Sequence, residues 1–390
     1  MACIYCNCEV HEVWNLGLLP PSDTFCDSKK SAINIETERL SVGSCRSCGL
    51  TQNITLLSEK KRYEDYDYAY NSANSAYAKT HWKELIEDLK KKRLIHKKVK
   101  LLEVGANDGF LLNEIKLHFP DSNVLGLDAS PFQVSQAKQN FPNLKMDQCI
   151  FGISSDNLPQ DHFEIVIGNN VLNHSNQLNS FLSRVNEVLI SGGYFIFEVP
   201  SLDMMFLNNK WDQIYHEHVS YFSINSLMHI MPLAGFIIES IELNDYHGGS
   251  YRVVAKKSDQ KSKNKKLFFN SEEVKLLSIK KHAEIQKKSL RQKIDLIKSK
   301  TPKNIYFFGA PAKGVTFMNY CNLSNDLIAG CLETSSNKIG KYIPKCGIPI
   351  ISEKHVIRGS YIINLLWNIP NVFENFCKKN NMESINYEVD

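Results

Sequence analysis

The chain has 390 residues, 43% hydrophobic and 23% charged, which is enough for two or three domains with a buried core and too apolar for a disordered chain. A net charge of +4 (46 Lys+Arg against 42 Asp+Glu) is too small by itself to imply nucleic acid, and 11 cysteines are too sparse for a disulfide scaffold. No run approaches the roughly 18–20 apolar residues that span a bilayer, and Met1-Ala2-Cys3-Ile4-Tyr5-Cys6 lacks the basic and apolar regions of a secretory signal, so a cytoplasmic protein without a membrane partner is expected.

Four blocks follow in chain order. Residues 1–57 carry two cysteine pairs and the turn-rich Leu19-Pro20-Pro21-Ser22-Asp23. Residues 58–98 are polar, rich in tyrosine (Tyr63, Tyr66, Tyr68, Tyr70, Tyr77), and close in a helix over 77–93. Residues 99–257 alternate strands at 99–104, 124–127 and 163–167 with helices at 111–118, 131–139 and 178–189, the mark of a parallel sheet with crossover helices. Between Lys256 and Lys303 stand 15 lysines and one arginine against five acids. That run reads as a linker helix over 258–300 with a solvated basic face, its apolar stripe being Val274, Leu277, Leu290, Ile294 and Ile297. Residues 301–390 restart the pattern with strands at 304–308, 328–331 and 361–366, a second and smaller α/β unit.

Cys3-x-x-Cys6 and Cys45-x-x-Cys48 are two knuckles, each able to present two thiolates to one ion. Four thiolates complete the tetrahedron that Zn²⁺ prefers and leave no open position for water, so the expected ion is structural. The gap from residue 7 to residue 44 exceeds the usual ribbon spacing, and Cys8 and Cys26 are spare thiols.

Leu101-Leu102-Glu103-Val104-Gly105-Ala106-Asn107-Asp108-Gly109-Phe110-Leu111 is a buried strand running through a glycine turn into a helix, a nucleoside pocket at a strand's carboxyl end. A dinucleotide fingerprint would need glycine at 107 and 110. Glu103 and Asp108 would repel a pyrophosphate but suit a cationic ligand with ribose hydroxyls, and S-adenosylmethionine carries both a sulfonium and an ammonium. Asp128 ends the next strand, where its carboxylate can accept both hydroxyls. Asn169-Asn170-Val171-Leu172-Asn173-His174 follows a third strand and faces the same crevice.

The sequence resembles the sugar C-methyltransferases that act on nucleotide-linked 4-keto-deoxyhexoses, the C3-methyltransferases of deoxysugar pathways. The shared pattern comprises the two knuckles, Glu103–Gly109, Asn169-Asn170-Val171-Leu172-Asn173-His174 and Phe197-Glu198-Val199-Pro200. It continues through Ile214-Tyr215-His216-Glu217-His218-Val219-Ser220-Tyr221-Phe222-Ser223, His247-Gly248-Gly249-Ser250-Tyr251-Arg252, Gly309-Ala310-Pro311-Ala312-Lys313-Gly314 and Trp367-Asn368. The resemblance implies an α/β chain: a zinc-binding domain at 1–57, a Rossmann-like class I methyltransferase domain at 58–257, and a smaller α/β domain at 301–390 that helps bind the sugar nucleotide. Its departures, Glu333 where Asp is common, Pro344-Lys345 for Pro-Gly and Tyr251 for Leu, bear on which sugar is used.

Methylating carbon requires a carbanion equivalent, which a base creates beside a ketone. His218 is the expected base, with Glu217 orienting it and Tyr215 hydrogen-bonding the enolate; His174 and, by resemblance, Tyr70 (or Tyr68) stand nearby. Cofactor contacts are expected from Glu103, Gly105, Asn107, Asp108, Gly109, Asp128, Asn169 and Asn170. Substrate contacts are expected from Tyr68, Glu198, Tyr221, His247, Arg252 and Lys313, the last placed after a glycine turn where phosphate binds well. The expected partner is a sugar nucleotide, with no nucleic acid, and the expected state is a monomer or weak homodimer. Two other readings stand beside this one: O- or N-methylation on the same scaffold, and a zinc-bearing nucleic-acid- or protein-binding module with a vestigial methyltransferase core.

Overall fold

The computed structural model describes residues 1–59, 61–65, 76–155, 157–259, 269–367 and 370–386. Its centre is a seven-stranded sheet in the order Phe236–Asn244, Ser250–Lys257, Leu189–Pro200, Phe163–Ile167, Lys100–Val104, Asn123–Asp128, Lys145–Gln148. From Leu189–Pro200 onward the strands run parallel. A parallel sheet is covered on both faces, and the strands read accordingly: Leu101, Leu102, Val104, Ile165, Val166, Ile167, Phe195, Ile196 and Phe197 are all buried. The strand order reverses at Lys100–Val104, whose neighbours are Asn123–Asp128 and Phe163–Ile167, and this opens a crevice at their carboxyl ends.

A four-stranded antiparallel sheet is made of Val10–Leu19, Glu38–Cys45, Thr51–Asn53 and Ser220–Tyr221. Its last strand comes from far along the chain, just after Tyr215 and His218, so the amino-terminal sheet holds that segment directly. The third sheet is wholly parallel, in the order Ile350–Ser352, Gly330–Glu333, Ile305–Phe308, Tyr361–Asn364, Glu383–Ser384. The strand expected at 328–331 lies two residues later, at Gly330–Glu333, because the amides of Leu327 and Ile328 both turn back onto the Ser324 carbonyl.

The basic segment is not a free spacer. Helix Ser271–Lys300 buries Leu276, Ile279, Ala283, Gln286, Leu290 and Ile294, in one core with Trp14, Leu40 and Val42 of the amino-terminal sheet and Phe307 and Phe317 of the carboxy-terminal unit. Of the expected stripe, Leu290, Ile294 and Ile297 face that core, but Val274 and Leu277 are 61% and 49% exposed. At about 100° per residue the sixteen positions from 274 to 290 turn the helix to its opposite side. Trp211 completes the junction by donating its indole N–H to Gln286 at 2.5 Å. Among the described residues no helix is long and apolar enough to cross a membrane.

Candidate active site

The crevice is built by the strand Lys100–Val104 and the loop that leaves it. Gly105 and Gly109 have φ of +72° and +78°, and a Cβ on Gly105 would meet Val171 at 3.0 Å, so glycine is required there both for conformation and for close approach. Gly109 begins the helix Phe110–His118 and packs on Leu144 and Ala137. Asp128 accepts the amides of Asn107 (2.8 Å) and Ser130 (2.9 Å), yet burial raises its pKa to about 6. Glu103 stands beside it, pushed well above the usual carboxylate range by burial and then by the charges of Asp108 and Asp128. One Glu103 oxygen and both amide atoms of Asn169 are buried with no hydrogen-bond partner among the described residues. Such groups are costly unless a ligand satisfies them. The Asp108 carboxylate accepts the amide of Phe110 at the helix start and is not among the residues that line the pocket. Sequence reading missed Glu59, Tyr63 and Trp82, which also line the pocket; only their place in a tyrosine-rich polar block hinted at it.

His174 lines the same pocket and faces His218, ring centroids 5.0 Å apart. The His218 imidazole is held at both nitrogens. Nδ1 lies 2.9 Å from the Gln213 carbonyl, and Nε2 lies 2.5 Å from the Tyr215 hydroxyl. A carbonyl can only accept, so Nδ1 carries the proton and Nε2 presents its lone pair to the phenol. Burial, and then the nearby His174, drive the His218 pKa well below its ordinary value, so the ring is neutral at physiological pH. His174 is lowered to about 3 by burial and by Arg62, whose guanidinium donates to the His174 carbonyl.

Glu217 does not orient His218 as expected. Its Oε1 accepts the Ser22 amide at 2.8 Å, its Oε2 has no partner among the described residues, and the Gln213 carbonyl takes the orienting role. Burial and then the Asp23 charge raise Glu217 to about 7.

The expected substrate contacts divide. His247, at φ +54° in the turn Tyr246–Gly248, receives Gln213 Nε2 at its carbonyl and is lowered to about 4 by burial and then by Lys313. Lys313 lies 3.5 Å from the centroid of the Trp367 ring, with Lys210 4.9 Å from it, and burial pulls Lys313 down to about 8. The indole N–H donates to Asp212, and Gly248 packs against the ring. Thus the turn that carries His247 and the Lys313 ammonium converge on the Trp367 ring. Glu198, Arg252 and Tyr221 go elsewhere. Glu198 is fully buried and its oxygens are taken by His81 (2.7 Å), Arg252 (2.6 Å) and Asn244 (3.2 Å), an internal ion-pair network in place of a substrate contact. The Tyr221 hydroxyl is spent on Asn53. Tyr68 and Tyr70 lie outside the described residues.

At the end of the strand Glu38–Cys45, Cys3, Cys6, Cys45 and Cys48 converge, all four ligand sulfurs within 4.8 Å of one another and none in a disulfide. The cluster can hold a metal ion.

Two family models match the chain: a methyltransferase domain over residues 73–241 and a C-methyltransferase C-terminal domain over residues 245–381. A curated relative, the C-methyltransferase NovU of Streptomyces niveus, is 25% identical over 95% of this chain and 91% of its own. Among solved structures, PH0226 of Pyrococcus horikoshii has 17% identity and a TM-score of 0.40, covering 52% of this chain and all of that one. A SAM-dependent methyltransferase of Methanosarcina mazei has 12% identity and a TM-score of 0.38, covering 44% of this chain and 98% of that one.

Proposed function

We propose that this chain, an S-adenosylmethionine-dependent methyltransferase of the C-methyltransferase family, methylates a carbon beside the ketone of a nucleotide-linked 4-keto-deoxysugar. The observation that carries the reading is the neutral Tyr215–His218 pair next to His174, at the edge of the nucleoside pocket. Transfer to oxygen or nitrogen needs no carbon acid, and a buried imidazole with its Nε2 lone pair presented through a phenol is suited to taking a proton from one.

Glu103 and Asn169 have unsatisfied polar atoms for the cofactor's charged and polar groups, and Asp128 keeps lone pairs for the ribose. When bound, S-adenosylmethionine supplies a methyl group on a cationic sulfur. The chain does the rest. The proton on the carbon adjacent to the ketone passes to the Tyr215–His218 pair, resting on Nε2, while the C–H electrons move onto the carbonyl oxygen. The enolate carbon left by that transfer would be the nucleophile for the methyl group, and Glu103, Asn169 and Asp128 are the residues that would hold its donor in place. His247 and Lys313 stand beside this cluster, where a lysine at a glycine turn and helix start can meet the substrate's phosphates. The segment holding Tyr68 and Tyr70 is expected to supply a further phenol.

We assign the cysteine cluster to structural zinc. Zn–S bonds of about 2.3 Å in a tetrahedron give sulfur–sulfur edges of roughly 3.8 Å, and two pairs here, Cys6–Cys45 and Cys3–Cys48, stand at 3.5 and 3.6 Å. Metal analysis should return about one zinc per chain, and Cys45→Ser/Cys48→Ser should unfold the amino-terminal sheet at lower temperature.

The direct test incubates the protein with methyl-labelled S-adenosylmethionine and a panel of 4-keto-6-deoxy sugar nucleotides, with NMR of the product. A new carbon–carbon bond beside the ketone is expected; a methyl ether or methylamine would overturn the reading.

A further inference from the structure

Asn53 is the last residue of the strand Thr51–Asn53, fully buried, and far in sequence from Tyr215 and His218. Its side-chain nitrogen lies 2.9 Å from the carbonyl of Tyr215, 2.9 Å from the carbonyl of His218 and 3.5 Å from that of His216. Three carbonyls facing one atom admit only an amide NH₂ there, which fixes the orientation of the side chain. Its oxygen accepts the Tyr221 hydroxyl at 3.2 Å, and its backbone N–H donates to the Val219 carbonyl at 2.9 Å. One asparagine thus ties down residues 215 to 219 through three N–H groups, two on the side chain for the Tyr215 and His218 carbonyls and one on the backbone for Val219, and the Tyr221 phenol keeps the amide from turning over.

The segment it holds has little structure of its own. It is a single turn closed by the His218 amide on the Tyr215 carbonyl at 3.2 Å, lying between the short helix Trp211–Gln213 and the two-residue strand Ser220–Tyr221. With the Gln213 carbonyl on His218 Nδ1, that turn sets the 2.5 Å bond from the Tyr215 hydroxyl to His218 Nε2 and stacks the two rings at 3.9 Å.

We infer that Asn53, locked by Tyr221, is a positioning residue for the base: it acts through the Tyr215–His218 turn and does not touch substrate or cofactor. The inference rests on the reading of His218 as base. A group that must meet a carbon-bound proton at hydrogen-bond distance is sensitive to small displacements, and a shift of about 1 Å can cost about 10²-fold in rate. Asn53→Ala removes donors from two carbonyls and frees the turn. It leaves the nucleoside pocket intact, because no residue that Asn53 touches lines that pocket.

Steady-state kinetics on Asn53→Ala should show kcat lower by about 10- to 100-fold, with KM for the sugar nucleotide and Kd for S-adenosylmethionine unchanged. Tyr221→Phe should move kcat in the same direction by less, again at constant KM. If Asn53→Ala does not fold, Tyr221→Phe decides alone. In a His218→Ala background, Asn53→Ala should cost nothing further, since the group it positions is gone. Parental kcat in a folded Asn53→Ala, a loss carried by KM, or a full additional loss in the double variant would each overturn the inference. A different result sinks the underlying reading: His218→Ala with parental turnover would remove the base and leave Asn53 with nothing to position.

Discussion

Glu103, Asp128 and Asn169 reach the nucleoside pocket from the ends of three adjacent parallel strands in one sheet. Tyr215 and His218, beside that pocket, stand on a turn held by Gln213 on one side and by Asn53 and Tyr221 of the amino-terminal sheet on the other. The pocket inherits its geometry from the most continuous part of the fold. The base inherits its geometry from a seam between sheets. Affinity for the cofactor and the rate of the chemical step should therefore respond to different mutations, and the two can be separated experimentally.

The largest separation is expected from His218→Ala. A catalytic base contributes about 10²–10⁴-fold, so turnover should fall by at least about two orders of magnitude, while calorimetry finds S-adenosylmethionine bound as in the parent. Weakened cofactor binding would mean that pocket and turn are not independent. Asp128→Ala makes the opposite cut. Loss of hydrogen bonds to a charged group costs about 1.5–3 kcal/mol, which calorimetry should register as weaker cofactor binding, with kcat at saturation little changed. Equal affinity in variant and parent would remove Asp128 from the site.

Protonation sharpens the contrast further. The pKa of Asp128 lies near 6 in the free protein because burial disfavours its charge, and ribose hydroxyls donating to its ionised form would pull that pKa down. Binding should then release more protons at pH 6 than at pH 8, and affinity should fall as pH drops through about 6. Calorimetry in buffers of different ionisation heat reads the release directly, and Asp128→Asn should remove the Asp128 share of it, leaving what the likewise raised Glu103 contributes. His218 carries the opposite sign: burial holds it neutral, so the base stays competent well below pH 6.5. Turnover at saturating cofactor should accordingly show no acid limb near the ordinary histidine pKa. The smallest effect is expected from Lys281→Glu and Lys288→Glu on the exposed face of helix Ser271–Lys300, which should leave turnover and cofactor binding as they are. A large loss would revive a polyanion-binding role for the basic run.

The same contrast explains what the sequence revealed. The nucleoside pocket was legible because strand, glycine turn and helix are contiguous, and because carboxylates at strand ends have few other uses. Tyr215 and His218 could be placed in one cluster because they are three residues apart, but the sequence reading set the Tyr215 hydroxyl on the enolate, whereas it lies on His218 Nε2. Gln213 could not be found, since it acts through its backbone carbonyl, and Asn53 could not because its partners are 162 and 165 positions away. Glu198 and Arg252 looked like ligands for substrate because charged residues on a strand invite that reading. Their partner His81 lies 117 positions before Glu198, on the helix Ala76–Lys91. Val274 and Leu277 were placed on the wrong face because a thirty-residue helix with scattered apolar positions admits more than one stripe, and only its packing against Trp14, Leu40 and Val42 selects between them.

Deuterium wash-in bears most directly on the claim that this chain activates carbon through the Tyr215–His218 pair. A 4-keto-6-deoxy sugar nucleotide is incubated with enzyme in heavy water without S-adenosylmethionine, and NMR follows the proton on the carbon beside the ketone. The parent should exchange that proton, and His218→Ala should not, although both bind the cofactor equally when it is added. Exchange at the parental rate in His218→Ala would contradict the account and move the base to another group, with His174 the nearest.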